Sequence, residues 1–209
     1  MLIKPNSRIL FQGDSITDCG RDRSQPNALG SGYAMMASGF LAALHPSLAP
    51  ECFNRGISGH RTGDLVDRWQ EDCLDLKPDV LSLMIGINDV WRRYDQNLPT
   101  SVQDFEKNYR ALLKKTTEAF PDIRLILLEP FVLPVPDDRH AWREDLDPKL
   151  AVVRIMAREF NALLVPLDGI FAAASTQQTP AFWAADGVHP SAAGHALIAK
   201  SWLEAVGAL

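Results

Sequence analysis

Val80-Leu81-Ser82-Leu83-Met84-Ile85-Gly86-Ile87-Asn88-Asp89 is the stretch that decides the architecture. Residues 80–85 are almost continuously apolar and stop at a glycine. A strand that shows water one face would alternate with polar residues, whereas one covered on both faces of a parallel sheet need not. Working outward, residues 8–12, 52–54, 124–129 and 163–167 read in the same way. Between them lie segments of helical spacing: Leu65, Trp69, Cys73 and Leu76; Phe105, Tyr109, Leu112, Leu113 and Phe120; Leu150, Val153, Ala157 and Phe160. Residues 33–44 form a further helix before His45-Pro46, and Ser191 can cap a last one carrying Leu197, Ile198, Trp202 and Ala205. The strict alternation of strand and helix predicts an α/β sandwich with a mostly parallel sheet. Right-handed crossovers then place helices on both of its faces. No repeat and no Ser/Gly/Pro-rich linker divides residues 1–209, so one domain is expected. The longest irregular stretch is 130–147, rich in proline with Pro134 and Pro136 and followed by Pro148, and a loop of that length is usually functional or mobile.

Composition narrows the function. With 209 residues, 46% of them hydrophobic and 22% charged, the chain can bury a sizeable core, which excludes disorder, collagen and coiled coil. A net charge of −5 argues against a nucleic-acid partner, because phosphate binding needs a basic surface. No apolar run approaches the ~20 residues of a membrane span. The first eight residues carry no apolar leader, and Cys19, Cys52 and Cys73 are an odd set without a Cys-x-x-Cys pair. A cytoplasmic protein with reduced thiols is therefore expected.

In open parallel sheets ligands bind beyond the carboxyl ends of the strands, so chemistry is sought there. The first strand ends in Gly13-Asp14-Ser15-Ile16-Thr17. Ser15 or Asp14 can simply cap a helix, or Ser15 is a nucleophile awaiting a base. The second strand leads to Gly56-Ile57-Ser58-Gly59-His60, where a backbone N–H can serve an oxyanion. After the third comes Asn88, either a left-handed turn residue or a side-chain amide aimed at the same charge. Asp186-Gly187-Val188-His189 follows the last strand. There Asp186 can hold one imidazole nitrogen and free the other as a base. An ordinary turn, or a metal-binding pair, would also account for it. Taken one at a time the structural readings win or draw level. Taken together, four strand ends on one sheet edge supply nucleophile, base, orienting carboxylate and extra oxyanion donors, which are the requirements of acyl transfer.

At these residues the sequence resembles the GDSL, or SGNH, hydrolases: Gly13-Asp14-Ser15, Gly59, Asn88 and Asp186-Gly187-Val188-His189 match the family's four blocks, and the matches span residues 13 to 189. The resemblance implies a flavodoxin-like, three-layer α/β/α fold with five parallel strands. It implies Ser15 as nucleophile, His189 as general base and Asp186 as its orienting partner. The backbone N–H groups of Ser15 and Gly59, with the Asn88 amide, would form the oxyanion hole, and no cofactor or metal would be needed. Residues 13–21, 54–59, 84–92 and 189–195 further resemble the intracellular bacterial acetylxylan esterases of the family. That likeness implies deacetylation of short xylo-oligosaccharides by a homo-oligomer.

Other schemes fare worse. No Gly-x-Ser-x-Gly elbow and no nucleotide-binding glycine motif occurs. Cys19 reads as a packed thiol and His195 as a structural histidine of the last helix. A lipase, thioesterase or arylesterase for longer acyl groups is the alternative enzyme. It is disfavoured by the polar run Asp137, Asp138, Arg139, His140, Arg143, Glu144 and Asp145. A non-catalytic carbohydrate-binding module would not need Ser, Asp and His together. Trp69 and Trp202 fall on helix stripes, whereas Trp91, Trp142 and Trp183 fall in expected loops, where rings can stack on a sugar or staple the loop. Trp91, three residues after Asn88, leads these. The candidate substrate contacts are Asp14, His60, Trp91 and Trp183, and the expected partner is a small ester such as an acetylated sugar.

Overall fold

The computed structural model describes residues 1–209. Five strands, β1 (Arg8–Gly13), β2 (Glu51–Asn54), β3 (Val80–Met84), β4 (Arg124–Leu128) and β5 (Leu163–Val165), form one parallel sheet in the order β2-β1-β3-β4-β5. Nine α-helices connect them: α1 (Ser15–Asp18), α2 (Tyr33–Leu44), α3 (Thr62–Asp72), α4 (Ile87–Asp95), α5 (Val102–Ala119), α6 (Arg143–Glu159), α7 (Leu167–Ala174), α8 (Pro180–Trp183) and α9 (Ala192–Ala205). The expected α/β sandwich with a parallel sheet is observed.

Strand side chains alternate between two cores, as a period of two requires. Ile9, Phe11, Val80, Met84, Ile126 and Leu128 pack with α2, α7 and α9. Leu10, Leu81, Leu83, Leu125 and Leu127 pack with α3, α5 and α6. The one polar interruption of β3 is used: Ser82 Oγ accepts from Trp202 Nε1 at 3.1 Å. On the other face Trp69 Nε1 donates to Thr116 Oγ1 at 2.9 Å, so these two buried indoles are satisfied. No helix is long and apolar enough to cross a membrane.

Several boundaries differ from the sequence reading. β5 stops at Val165, because Pro166 has no N–H for a ladder, and Leu167 already opens α7. The stretch 130–147 is not wholly irregular. Asp137–Trp142 is a 3₁₀ turn, and α6 begins at Arg143 with Pro148 inside it. Burial of Leu146, Leu150, Val153 and Met156 along one face outweighs the local cost of the proline. Trp91, Trp142 and Trp183 are not loop residues: they lie on α4, at the end of that 3₁₀ turn and on α8.

The strand order reverses direction between β1 and β3, with β2 on one side and β4 on the other. That switch point opens a crevice at the carboxyl ends of β1 and β3, where Gly13 pairs with Met84.

Candidate active site

Ser15 is the first residue of α1, directly after β1. Asp14 caps that turn, its Oδ1 accepting from the Ile16 N–H at 3.0 Å. Ser15 Oγ lies 2.9 Å from His189 Nε2, and His189 Nδ1 lies 2.7 Å from Asp186 Oδ2. The other Asp186 oxygen accepts from the backbone N–H groups of Val188 at 2.9 Å and His189 at 2.7 Å. The two triad side chains beyond Ser15 are 45% and 41% exposed, so the row opens to solvent.

The protonation states follow from the partners. Partial burial raises the Asp186 carboxyl, but the His189 ring and the two backbone N–H groups overcome this and hold it well below the ordinary carboxylate range. An ionised Asp186 only accepts, so His189 carries its proton on Nδ1 and turns the Nε2 lone pair to the Ser15 hydroxyl. The hydrogen bond to Asp186 raises the His189 pKa, and burial opposes it. This geometry suits proton transfer from a hydroxyl nucleophile.

The N–H groups expected to serve an oxyanion are free to donate. The Ser15 N–H lies in the first turn of a helix, where no intrahelical acceptor exists. The Gly59 N–H has no acceptor within the protein. Asn88, the second residue of α4, is 2% exposed, and its Nδ2 donates one hydrogen to the His60 carbonyl at 3.1 Å. Asn88 is thus helical, and it is Gly86 that takes the positive φ of 134°. Asp89 joins the two elements: buried, it accepts from Thr62 N–H at 3.0 Å and Thr62 Oγ1 at 2.7 Å, tying α4 to the start of α3 behind the Gly59 turn.

The four candidate substrate contacts separate. Trp91 sets its ring 5.6 Å from that of His189, at the edge of the triad. His60 lines a cleft of about 370 Å³ that starts at Gly59 and is otherwise lined by Ser58, Arg61, Asp64, Arg92 and Gln96, with no apolar side chain. Its Nδ1 accepts from Arg68 Nε at 3.2 Å, which leaves the proton on Nε2. Asp14 is 1% exposed, and burial pushes its pKa up to about 7, so its carboxyl shapes the Ser15 turn and is shielded from a substrate. Trp183 engages Ala174 O through Nε1 at 3.2 Å and Phe182 edge to face, not the triad. Trp142, 1% exposed, packs between Arg139 and Tyr94 and offers no face to a sugar. His195 is structural: Nδ1 accepts from the Tyr33 N–H at 3.1 Å, Nε2 faces Cys19 Sγ at 3.3 Å, and burial pulls its pKa down to about 4.

Sequence reasoning missed the braces. Arg68 donates to the Arg55 carbonyl at 2.8 Å and the Gly13 carbonyl at 3.3 Å, joining the ends of β1 and β2. Arg139 stacks 4.0 Å over Trp142 and reaches the Asp186 carbonyl at 3.3 Å, so the 3₁₀ turn supports the Asp186–His189 loop. Gly187 completes that support. It has φ +80°, and a Cβ there would stand 2.3 Å from Val135 O and 2.6 Å from Leu133 O. Gly187→Ala should therefore lose at least the ~1–2 kcal/mol of a left-handed non-glycine residue, with further loss from overlap. Melting temperature and ester turnover measured together check this. An unchanged melting point with full activity would remove the brace.

No group of three His, Cys, Asp or Glu side chains converges as metal ligands would. The family model for the GDSL-like lipases/acylhydrolases matches residues 11–197. The chain belongs to the GDSL-like lipase/acylhydrolase family. As such it is a carboxylic ester hydrolase with the SGNH hydrolase fold. This GDSL-family enzyme is 39% identical to an acetylxylan esterase of Geobacillus stearothermophilus over 99% of its own length and 97% of the relative's. The crystal structure of that organism's acetylxylan esterase Axe2 superposes with a TM-score of 0.90 at 38% identity, covering 99% of this chain and 97% of Axe2. A putative GDSL-like lipase from Parabacteroides merdae is similar too, with a TM-score of 0.94 and 40% identity over 99% of this chain and 98% of that one.

Proposed function

We propose that the enzyme removes acetyl groups from small carbohydrates such as xylo-oligosaccharides, through an acyl-enzyme on Ser15. The observation that carries the mechanism is the unbroken row Ser15 Oγ–His189 Nε2, His189 Nδ1–Asp186 Oδ2. In this reading Ser15 Oγ attacks the ester carbonyl carbon as its proton passes to His189 Nε2. The carbonyl electron pair moves onto oxygen, and the anion is met by the N–H groups of Ser15 and Gly59 and by the Asn88 amide. Collapse breaks the bond to the alcohol, which leaves with the proton from Nε2. Water then attacks the acetyl-serine, giving its proton to His189, and the second collapse returns that proton to Ser15.

Two observations support a polar, short-chain substrate. The cleft beginning at Gly59 has only polar and charged side chains, which suits hydroxyl-rich ligands and not a fatty chain. The 39%-identical relative is an acetylxylan esterase. His60 and Trp91 are the proposed sugar contacts, the imidazole Nε2–H as donor and the indole as stacking face.

Turnover of acetyl, butyryl and octanoyl p-nitrophenyl esters, alongside acetate release from acetylated xylose, tests the substrate. The acetyl ester should be fastest, the octanoyl ester slowest, and acetylated xylose should be hydrolysed. Octanoyl preference with no acetate from the sugar would overturn the proposal in favour of a lipase or thioesterase.

A further inference from the structure

The amide of Asn88 is held from both ends. Its Oδ1 accepts from Arg92 Nη2 at 3.0 Å, and its Nδ2 donates to the His60 carbonyl at 3.1 Å. Neither partner can exchange roles, because a guanidinium only donates and a backbone carbonyl only accepts. A flipped amide would set oxygen against oxygen and N–H against N–H. One orientation is therefore imposed, with Nδ2 toward the Gly59–His60 turn, and its second hydrogen has no acceptor within the protein. Arg92 is itself anchored. It lies one helical turn after Asn88 on α4, pairs with Asp95 through Nη1 and sets its guanidinium 5.5 Å over the Trp91 ring. Its side chain is 19% exposed.

We propose that Arg92 is a positioning residue for ester hydrolysis. Its guanidinium holds the Asn88 amide with Nδ2 facing the oxyanion and, by drawing charge from Oδ1, strengthens that N–H as a donor. The inference rests on the reading of Asn88 as an oxyanion donor. The benefit falls on the transition state, because the neutral carbonyl of the bound ester gains little from the same bond. Without Arg92 the amide turns away for part of the time, and the rate falls with that fraction. A direct contact between Arg92 and substrate would change KM instead. A role confined to folding would change the melting temperature and leave turnover per folded molecule intact.

The test is a double-mutant cycle with kcat, KM and melting temperature measured on each preparation. Asn88→Ala should lose about 10²–10³ in kcat. Arg92→Ala should lose on the order of tenfold in kcat, as expected for one charge-assisted hydrogen bond, with KM within about twofold. Arg92→Lys should recover part of that loss, since an ammonium also donates to Oδ1, and it serves if the alanine variant folds poorly. In the Asn88→Ala background Arg92→Ala should cost nothing more. Added guanidinium ion should restore part of the Arg92→Ala rate and none of the double variant's. Equal losses from Arg92→Ala in both backgrounds, or a raised KM with kcat retained, would overturn the inference while leaving the oxyanion reading of Asn88 intact. Full kcat in Asn88→Ala would overturn that reading and, with it, the inference.

Discussion

Ser15→Ala should lower kcat by roughly 10³–10⁶-fold while the protein folds and melts as the wild type does. The side chain can be removed cleanly. Its hydroxyl bonds to His189, and the turn around it is built by Asp14 and by backbone groups. The loss is large because the covalent route closes altogether, since alanine offers no atom to take the acetyl group. What survives comes from the oxyanion donors and from binding, which still hold an ester near water. A fluorophosphonate probe reads the same residue independently, labelling the wild type and not the variant. A folded Ser15→Ala protein with near wild-type turnover would end the acyl-enzyme mechanism.

Asp186→Asn should cost about 10²–10⁴ in rate with the fold retained. The asparagine oxygen can still accept from the Val188 and His189 N–H groups, so the loop keeps its shape. Its NH₂ group, however, faces His189 Nδ1 as a donor, which forces the proton onto Nε2 and removes the lone pair that Ser15 needs. The pH profile carries a second signature. His189 is raised above its ordinary pKa of 6.5, first by the hydrogen bond to Asp186. The base works only when neutral, so wild-type kcat/KM should rise with pH through an apparent value above 6.5 and be lost below it. Without the carboxylate that limb should move to lower pH. An acid limb that stays put in Asp186→Asn would show that another group controls it.

Residues 86–95 show where reading the sequence stopped short. Ile87, Val90, Trp91 and Tyr94 repeat at helical spacing, and the structure makes them part of α4. Read as a loop, the segment still yields Asn88, because its place after a strand marks it. It does not yield Arg92, whose meaning lies in being one turn away on the same helix. The stretch 130–147 failed for the opposite reason. Its prolines advertise irregularity, but the apolar face of α6 and the stack of Arg139 on Trp142 are tertiary contacts that outweigh them. That Asp14 is buried and that Trp183 packs on Phe182 and Ala174 are facts that closeness to the motif residues in sequence does not carry.

The sequence by itself determined the parallel sheet, since strands apolar on both faces are unstable unless helices cover both. It also marked Ser15, Gly59 and Asn88 beyond the ends of β1, β2 and β3, since a parallel sheet delivers every carboxyl end to one edge, whereas Asp186 and His189, expected just after the last strand, lie beyond α7 and α8 in the loop before α9. Only the tertiary structure decided which nitrogen of His189 faces Ser15, which way the Asn88 amide points, that Asp14 is buried and that the cleft beyond Gly59 is wholly polar. Those are properties of distance and desolvation that arise only once the chain is folded. Ser15 and His189, 174 residues apart in the chain, meet at 2.9 Å because the end of β1 and the loop between α8 and α9 converge on one crevice. No local pattern of residue types encodes that separation.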